Sequence, residues 1–291
     1  MTPKDSDAIR DEVRSRYGGI ARQGGSCCCG PQTGAAPCAP ADSAAKLGYT
    51  EGDIISVPDG ADMGLGCGNP HAIAALKPGE TVLDLGSGGG LDCFLASKRV
   101  GPEGRVIGVD MTPDMVSKAR RGAKEGSYTN VEFRLGEIEH LPVADGTVDA
   151  ILSNCVINLS PDKESVFREA FRVLRPGGRL AISDIVALKP LPSAVTGDSA
   201  AVCSCVGGAA LVADVERMLR DAGFSDVRID VKRESAEFIR TWFPGSGYED
   251  LVASALISAA KPKGAPDESV PARDPCAGGR GDASRGNCCR G

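Results

Sequence analysis

Apolar side chains near the start of the sequence recur every four residues, at Ile9, Val13 and Tyr17, and predict a short amphipathic helix over residues 5–17. The pattern then dissolves. Residues 18–45 are rich in Gly, Ala, Pro and Cys without periodicity, and read as a flexible segment. Order returns at Asn69-Pro70, where Asn suits an N-cap and Pro the first helical position. From there, short apolar runs alternate with amphipathic ones. Residues 81–85, 105–109, 131–135, 148–153 and 179–186 read as strands, and residues 91–100, 113–125 and 162–174 as helices. Gly101-Pro102-Glu103-Gly104 and Arg175-Pro176-Gly177-Gly178 are the expected turns back to the sheet. A helix at residues 211–222 and a strand at 227–231 follow. The last apolar run, residues 252–260, fits a strand or a helix, and as a strand it brings the total to seven. Strands alternating with helices of roughly ten to fifteen residues predict an α/β fold, its mostly parallel sheet covered on both faces.

Composition divides the chain into four stretches: the helix and Cys-rich segment at 1–45, the α/β region at 46–190, a smaller C-terminal part at 191–261, and a Gly-, Pro-, Arg- and Asp-rich tail at 262–291, expected to be disordered. With 291 residues, 42% hydrophobic, there is enough material for one good-sized core and a small appendage. The formal net charge is -6 and no basic run stands out, so a nucleic-acid partner is not expected. The first residues are charged throughout, unlike a signal peptide, and no apolar run approaches the roughly 20 residues of a membrane span. A cytoplasmic protein with no membrane partner is the expectation.

The first strand runs into Asp84-Leu85-Gly86-Ser87-Gly88-Gly89-Gly90 and then a helix. Glycines let a backbone turn sharply and approach a ligand, and the helix start offers free N–H groups. The spacing is not that of a phosphate-binding loop, and an Asp there suits an ammonium better than a pyrophosphate. Asp110 ends the next strand about twenty residues on, where a carboxylate hydrogen-bonds ribose hydroxyls. Met111 follows it, Glu137 and Ile138 end the third strand where they would flank an adenine, and Asn154 ends the fourth. The phrases VLDLGSGGG, VIGVDMT, FRLGEIEHLP and LRPGGRLAISD occur in that order. Over residues 70–190 the sequence therefore resembles class I methyltransferases, which implies a Rossmann-like fold and S-adenosylmethionine as methyl donor. Asp84, Gly86, Ser87, Gly88, Gly90, Asp110, Met111, Glu137, Ile138 and Asn154 are the expected donor-binding residues.

The acceptor must be read from elsewhere, and the chain has 12 cysteines. Without a targeting signal they are expected to stay reduced. Cys93 sits on an apolar helix face and reads as core, whereas the others lie among Gly, Pro, Ser and Ala. Cys67, Cys155 and Cys205 come from three distant segments that all approach the donor end of the sheet. Thiolates select soft centres. Zinc is a rival, but there is no CxxC pair and His71 and His140 are the only histidines. Three thiolates suit trigonal pyramidal As(III), whose lone pair can attack a methyl sulfonium.

On GLGCGNP, SNCVINLSPDK and CVGGA the chain resembles arsenite methyltransferases along nearly its whole length. The resemblance implies four functional cysteines, which fall on Cys38, Cys67, Cys155 and Cys205. Cys155 and Cys205 would hold As(III), with Cys67 as a third thiol. Cys38 and Cys67 would form the disulfide that reduces pentavalent arsenic, and thioredoxin or glutathione would restore it. Arsenite and methylated trivalent arsenicals are the implied substrates, and no structural metal is expected. The 191–261 part would carry arsenic, and Cys27, Cys28, Cys29, Cys288 and Cys289 would capture and deliver it. Trp242 and Phe243 fit a lid or the C-terminal core equally. Two alternatives stand: a quinone-type carbon or oxygen methyltransferase, which leaves the three thiols unexplained, and a non-catalytic metalloid-sequestering protein, which leaves Asp84 and Asp110 unexplained.

Overall fold

The computed structural model describes residues 6–23 and 47–264. Residues 24–46 and 265–291, with Cys27, Cys28, Cys29, Cys38, Cys288 and Cys289, lie outside the described residues, and with them most of the segment expected to be flexible and of the tail.

Seven strands form one sheet: β1 Thr81–Leu85, β2 Arg105–Asp110, β3 Val131–Leu135, β4 Val148–Asn154, β5 Leu174–Ala187, β6 Ser225–Lys232 and β7 Val252–Ala260. Their order is β3-β2-β1-β4-β5-β7-β6. The first five pair in parallel, while β7 runs antiparallel between β5 and β6. The segment expected as a smaller C-terminal part thus completes the same sheet. Ambiguity over residues 252–260 is resolved by that position: a strand with neighbours on both sides is apolar on both faces, as its burial shows. At the sheet edge β6 instead alternates half-buried and exposed residues.

Among the described residues, five helices have ten or more residues: α1 Ser6–Gln23, α2 Leu91–Val100, α3 Pro113–Glu125, α4 Lys163–Val173 and α5 Val212–Asp221. Their bounds follow local chemistry. Pro113 opens α3 with its fixed φ, and the Asp162 carboxylate accepts the Ser165 N–H at 3.0 Å to cap α4. The short helix His71–Ala74 starts one residue later than expected, with Pro70 at the N-cap, and the Asn69 side chain accepts the His71 N–H at 3.0 Å from just before it. Two further expectations need correction. Helix α1 runs six residues further than the periodic stripe, through Gly18 and Gly19. The expected turn at Arg175-Pro176-Gly177-Gly178 is a bulge inside β5, because Leu174 pairs with Val148 while Arg179 pairs with Ala150. Gly178 is needed there, since a Cβ would lie 2.9 Å from the Arg175 carbonyl.

The largest core cluster joins the inner strands to α4 and α5, and a second, around Phe94, lies under α2 and α3. Strand order reverses between β1 and β4, and in open α/β sheets ligands bind at the carboxyl ends of the strands at that point. Asp84, Asp110, Asn154 and Asp184 all come from that edge.

Candidate active site

One cavity opens at the carboxyl ends of β1, β2 and β4. Asp84, Gly86, Ser87, Gly88, Asp110, Met111, Ile138 and Asn154 line it, as the sequence led one to expect, and so does Cys155. Two expected donor-binding residues stand apart. Gly90 packs behind the loop, where a Cβ would lie 2.8 Å from the Phe94 ring, so its positive φ serves the turn into α2. Glu137 turns to α1, reaching Arg14 at 3.3 Å and Arg10 at 3.5 Å.

The loop after β1 is fixed by its neighbours. Gly86 and Ser87 donate their N–H groups to the Val109 carbonyl at 2.7 and 3.0 Å, and Gly88 donates to Asp110 at 2.9 Å. A Cβ on Gly86 would lie 2.4 Å from Val156, so only glycine lets the loop pass the β4 turn. Burial pushes the Asp84 carboxyl well above its ordinary range, and the nearby Asp92 pushes it further. Burial also raises Asp110, against the backbone N–H groups of Thr112 and Gly88 that favour its charge. Two cavity-lining carboxylates on the same wall, Asp84 and Asp92, make a place for a cation. Nearby, the buried Ser87 hydroxyl has no hydrogen-bond partner among the described residues. An amino group, ribose hydroxyls and a purine edge are what such a wall can satisfy.

The thiols meet at one end of this cavity. Cys67 and Cys155 are joined by a disulfide, with their Cα atoms 5.8 Å apart across 88 residues. This corrects the expectation that all thiols stay reduced: two buried cysteines face one another at a separation a bridge requires. The two segments are also locked together independently of that bond. Asn154 Oδ1 accepts the Cys67 N–H at 3.1 Å, Asn154 Nδ2 donates to the Gly68 carbonyl at 2.9 Å, and Ser254 Oγ donates to the Cys67 carbonyl at 2.8 Å. Asn154 is thus a clamp on the thiol loop as well as a wall of the cavity.

Cys205 is brought to the same point, its Sγ donating to the Cys155 carbonyl at 2.9 Å. Both Cys155 and Cys205 adopt left-handed backbone, with φ 56° and 63°. Such conformations cost about 1–3 kcal/mol for residues with a side chain and persist where surroundings enforce them. Close by, Gly208 lets the two segments approach: a Cβ would lie 2.1 Å from the Asn158 carbonyl oxygen. Gly208→Ala should therefore push the Cys205 segment off the Cys155 turn and destabilise the protein by about 1–3 kcal/mol, read by thermal melting. A melting temperature equal to the parent's would contradict this packing.

These cysteines are not polar-loop residues, as their neighbours in sequence implied. Cys67, Cys155, Cys203 and Cys205 are buried in an apolar cluster with Ile185, Val195 and Val206, and Trp242 and Phe243 pack against it as partly buried core outside the cavity wall. Cys93 is core as expected, fully buried, with its Sγ 3.2 Å from Asp84. Burial pushes the Cys205 thiol well up, and the Asp184 carboxylate adds to this while Lys163 opposes it.

Sequence reasoning missed three parts of the site. Asp184, on β5, places a carboxylate oxygen within 4.8 Å of the Cys67 and Cys155 sulfurs. Its signal was its place near the carboxyl end of a strand, as for Asp84 and Asp110. Tyr49 donates to Asp92 at 2.7 Å and accepts from Asn154 Nδ2 at 3.0 Å, joining the donor wall to the thiol clamp. Finally, α1 roofs the cavity with Arg10, Val13 and Tyr17. Arg10 pairs with the buried Glu139 at 3.3 Å, and the Tyr17 hydroxyl donates to the Cys203 carbonyl at 3.2 Å. The Val13 and Tyr17 stripe was visible, but not what it covers.

Asp184 also sets a pH dependence. Burial raises it from 3.8 to about 6, against hydrogen bonds from Ile157, Asn158 and Ile185. A carboxyl raised on folding adds stability as pH falls below 6 toward 4 and loses it as pH rises through 6. Two units correspond to about 3 kcal/mol. Between pH 4 and 7, denaturant melts of the wild type should lose about that much more stability than those of Asp184→Asn. Parallel pH profiles would remove Asp184 as the cause.

Comparison with known proteins agrees with this geometry. The family described as a methyltransferase domain matches residues 76–223. An arsenite methyltransferase of Halobacterium salinarum is 52% identical over 275 residues, covering 90% of this chain and 69% of its own length. The chain belongs to the arsenite methyltransferase family. An Aquipseudomonas alcaligenes arsenite methyltransferase is 46% identical over 56% of this chain, but the match spans only 49% of that protein. Among solved structures, an arsenic(III) S-adenosylmethionine methyltransferase from Chlamydomonas reinhardtii matches with a TM-score of 0.58 at 33% identity, over 77% of this chain and 74% of that one. The family uses S-adenosylmethionine, and the residues present fit it: Asp84 for the ammonium, Asp110 for the ribose, Ile138 beside the base and the unpartnered Ser87 hydroxyl. Among the described residues no helix is long and apolar enough to cross a membrane.

Proposed function

We propose that this protein transfers methyl groups from S-adenosylmethionine to trivalent arsenic held by its own thiols, starting from arsenite and continuing with methylated trivalent arsenicals, and so detoxifies arsenic in the cytoplasm. The observation that carries this is the position of Cys155. Its residue lines the donor cavity, Cys67 is bonded to it, and Cys205 lies against its carbonyl. A carbon or oxygen acceptor would need no such group of sulfurs, and a metalloid trap would need no nucleoside wall.

When bound, the donor supplies an electrophilic methyl on a sulfonium. The protein's task is to hold arsenic in line with it and to keep water out. Once Cys67–Cys155 is reduced, Cys155 and Cys205 displace two hydroxides of arsenite as water, each thiol giving its proton to the hydroxide that leaves. Cys67 supplies a third thiol. Held by Cys155 and Cys205, arsenic would present its lone pair to the methyl carbon, the electrons of the broken carbon–sulfur bond would stay with the donor sulfur, and arsenic would become formally pentavalent. No proton is removed from the nucleophile, so the chemistry needs neither a general base nor a resident metal. Two thiols then return arsenic to the trivalent state by giving up two electrons and forming a disulfide. Cys38 exchanges into the Cys67–Cys155 bond, leaving Cys38–Cys67 and a restored Cys155 thiol for thioredoxin or glutathione to complete. Cys27, Cys28, Cys29, Cys288 and Cys289 serve as delivery thiols.

Purified protein, S-adenosylmethionine, As(III) and a thiol reductant should yield methylated arsenic, resolved by arsenic speciation. No methylarsenic above a no-enzyme control would defeat the reading.

A further inference from the structure

The sequence argued against zinc because it has no CxxC pair and few histidines. The fold supplies what the sequence lacked. Cys67 Sγ, Cys155 Sγ and a carboxylate oxygen of Asp184 come from the loop before β1, the end of β4 and the body of β5, and lie within 4.8 Å of one another. All three residues are buried. We propose that reduction of the Cys67–Cys155 bond opens a site for a borderline-soft divalent cation, Zn²⁺ in the first instance, held by both thiolates and Asp184. Occupancy of that site blocks arsenic.

Donor chemistry favours this occupant. Zinc takes Cys sulfur at about 2.3 Å and Asp oxygen at about 2.0–2.2 Å in tetrahedral sites. Those radii put neighbouring ligand atoms about 3.5–3.8 Å apart, so the two bonded sulfurs must part on reduction, while the carboxylate oxygen already lies within 4.8 Å of both. Among the described residues, Asp184 is the further donor that lies within 4.8 Å of both sulfurs, and its hard oxygen suits zinc better than arsenic. Asp184 is also prepared as a ligand. Among the described residues, the Asn158 amide and the Ile185 N–H occupy Oδ1, whereas Oδ2 accepts one hydrogen bond, from the Ile157 N–H. One lone pair of Oδ2 therefore remains in a carboxylate whose orientation three donors have fixed. Lys163, buried beside Asp184 and Cys205, offsets the anionic charge of two thiolates and a carboxylate around one dication.

The site is gated by redox state. A phosphine and water reduce the disulfide to two thiols, the phosphine taking up the oxygen. Binding of Zn²⁺ then forms two Zn–S bonds and releases two protons. With the disulfide closed, the sulfurs have no thiolate to offer and binding is lost.

The test uses the full chain, reduced by a water-soluble phosphine and titrated with Zn²⁺ or Co²⁺ alone. The reduced protein should bind one Zn²⁺ through this site at least tenfold more tightly than the oxidised protein. X-ray absorption at the zinc edge should show two sulfurs with oxygen completing the shell. Asp184→Asn should weaken binding at least tenfold, Cys155→Ser should abolish it, and Cys205→Ser should keep it within about threefold. Zinc should also inhibit arsenite binding competitively, with full reversal by a chelator. Equal zinc binding by oxidised and reduced protein would overturn the proposal, as would three sulfurs on zinc or loss of the site only in Cys205→Ser. If Asp184→Asn does not fold, the ligand count on the wild type decides alone. The competition readout rests on the arsenic site of the proposed function, whereas zinc affinity and the ligand count require neither arsenic nor methyl transfer and stand or fall apart from it.

Discussion

Cys155→Ser is expected to lower arsenite methylation by at least about a thousandfold under reducing conditions. The residue does two things at once: it lines the donor cavity and it is the point at which Cys67 and Cys205 converge. Serine keeps the size but gives arsenic an oxygen in place of a soft sulfur, so the acceptor is no longer tethered beside the methyl. Tethering is worth effective molarities of about 10⁵–10⁸ M, and a loss of at least about a thousandfold is a conservative share of that, since Cys205 still holds arsenic by one bond. Reducing conditions matter for the comparison. In the oxidised protein the same substitution deletes a bond closing an 88-residue separation, worth about 2–4 kcal/mol of stability on its own. With reductant present neither protein has the bond, and a lost rate reports on the chemistry. A rate within tenfold of the parent, measured by methylarsenic formation, would show that Cys155 is packing and not ligand.

The second large effect belongs to the donor wall. Asp110→Ala removes a buried carboxylate that accepts the Gly88 N–H at 2.9 Å and the Thr112 N–H at 2.8 Å. It thus loosens the glycine loop as well as deleting the ribose partner. Hydrogen bonds to a charged group are worth about 1.5–3 kcal/mol each, so S-adenosylmethionine affinity should fall at least thirtyfold. Arsenite binding to the reduced thiols should change by less than threefold, because the Asp110 carboxylate makes no hydrogen bond to the thiol segments. Calorimetric titration of each ligand separates the two. An unchanged donor affinity would remove Asp110 from the site.

How far the sequence spoke for itself depended on whether a feature was local. Strand β1 and its glycine loop were legible because a strand end, a tight turn and a helix start all follow from neighbouring residues. Asp84 and Asp110 were legible for the same reason: a carboxylate at a strand end is placed by the strand. Gly90 and Glu137 show the limit of that logic. Both lie on the right segment, yet one side of Gly90 is filled by Phe94, and Glu137 is drawn to Arg10 and Arg14 on α1. Phe133, which also crowds Gly90, and the two arginines that draw Glu137 are far away in sequence.

The thiols were legible as a set and not as a geometry. Nothing near Cys155 says that its turn takes a positive φ, or that Asn154 will grip the Cys67 loop 87 residues away. Asp184 was passed over because one acid on an apolar strand carries no local mark of two sulfurs within 4.8 Å. The α1 roof was half visible. Its Val13 and Tyr17 stripe predicted burial, but a stripe names no partner, and the Tyr17 contact with the Cys203 carbonyl spans 186 residues.

The most direct test of the central claim is the arsenic-edge X-ray absorption spectrum of the reduced full chain with one equivalent of arsenite. The account predicts at least two sulfur neighbours on arsenic when Cys27, Cys28, Cys29, Cys288 and Cys289 are all replaced by serine, and a lower sulfur count when Cys155→Ser is added. Arsenic surrounded by oxygen alone, or an unchanged sulfur count in that variant, would contradict it.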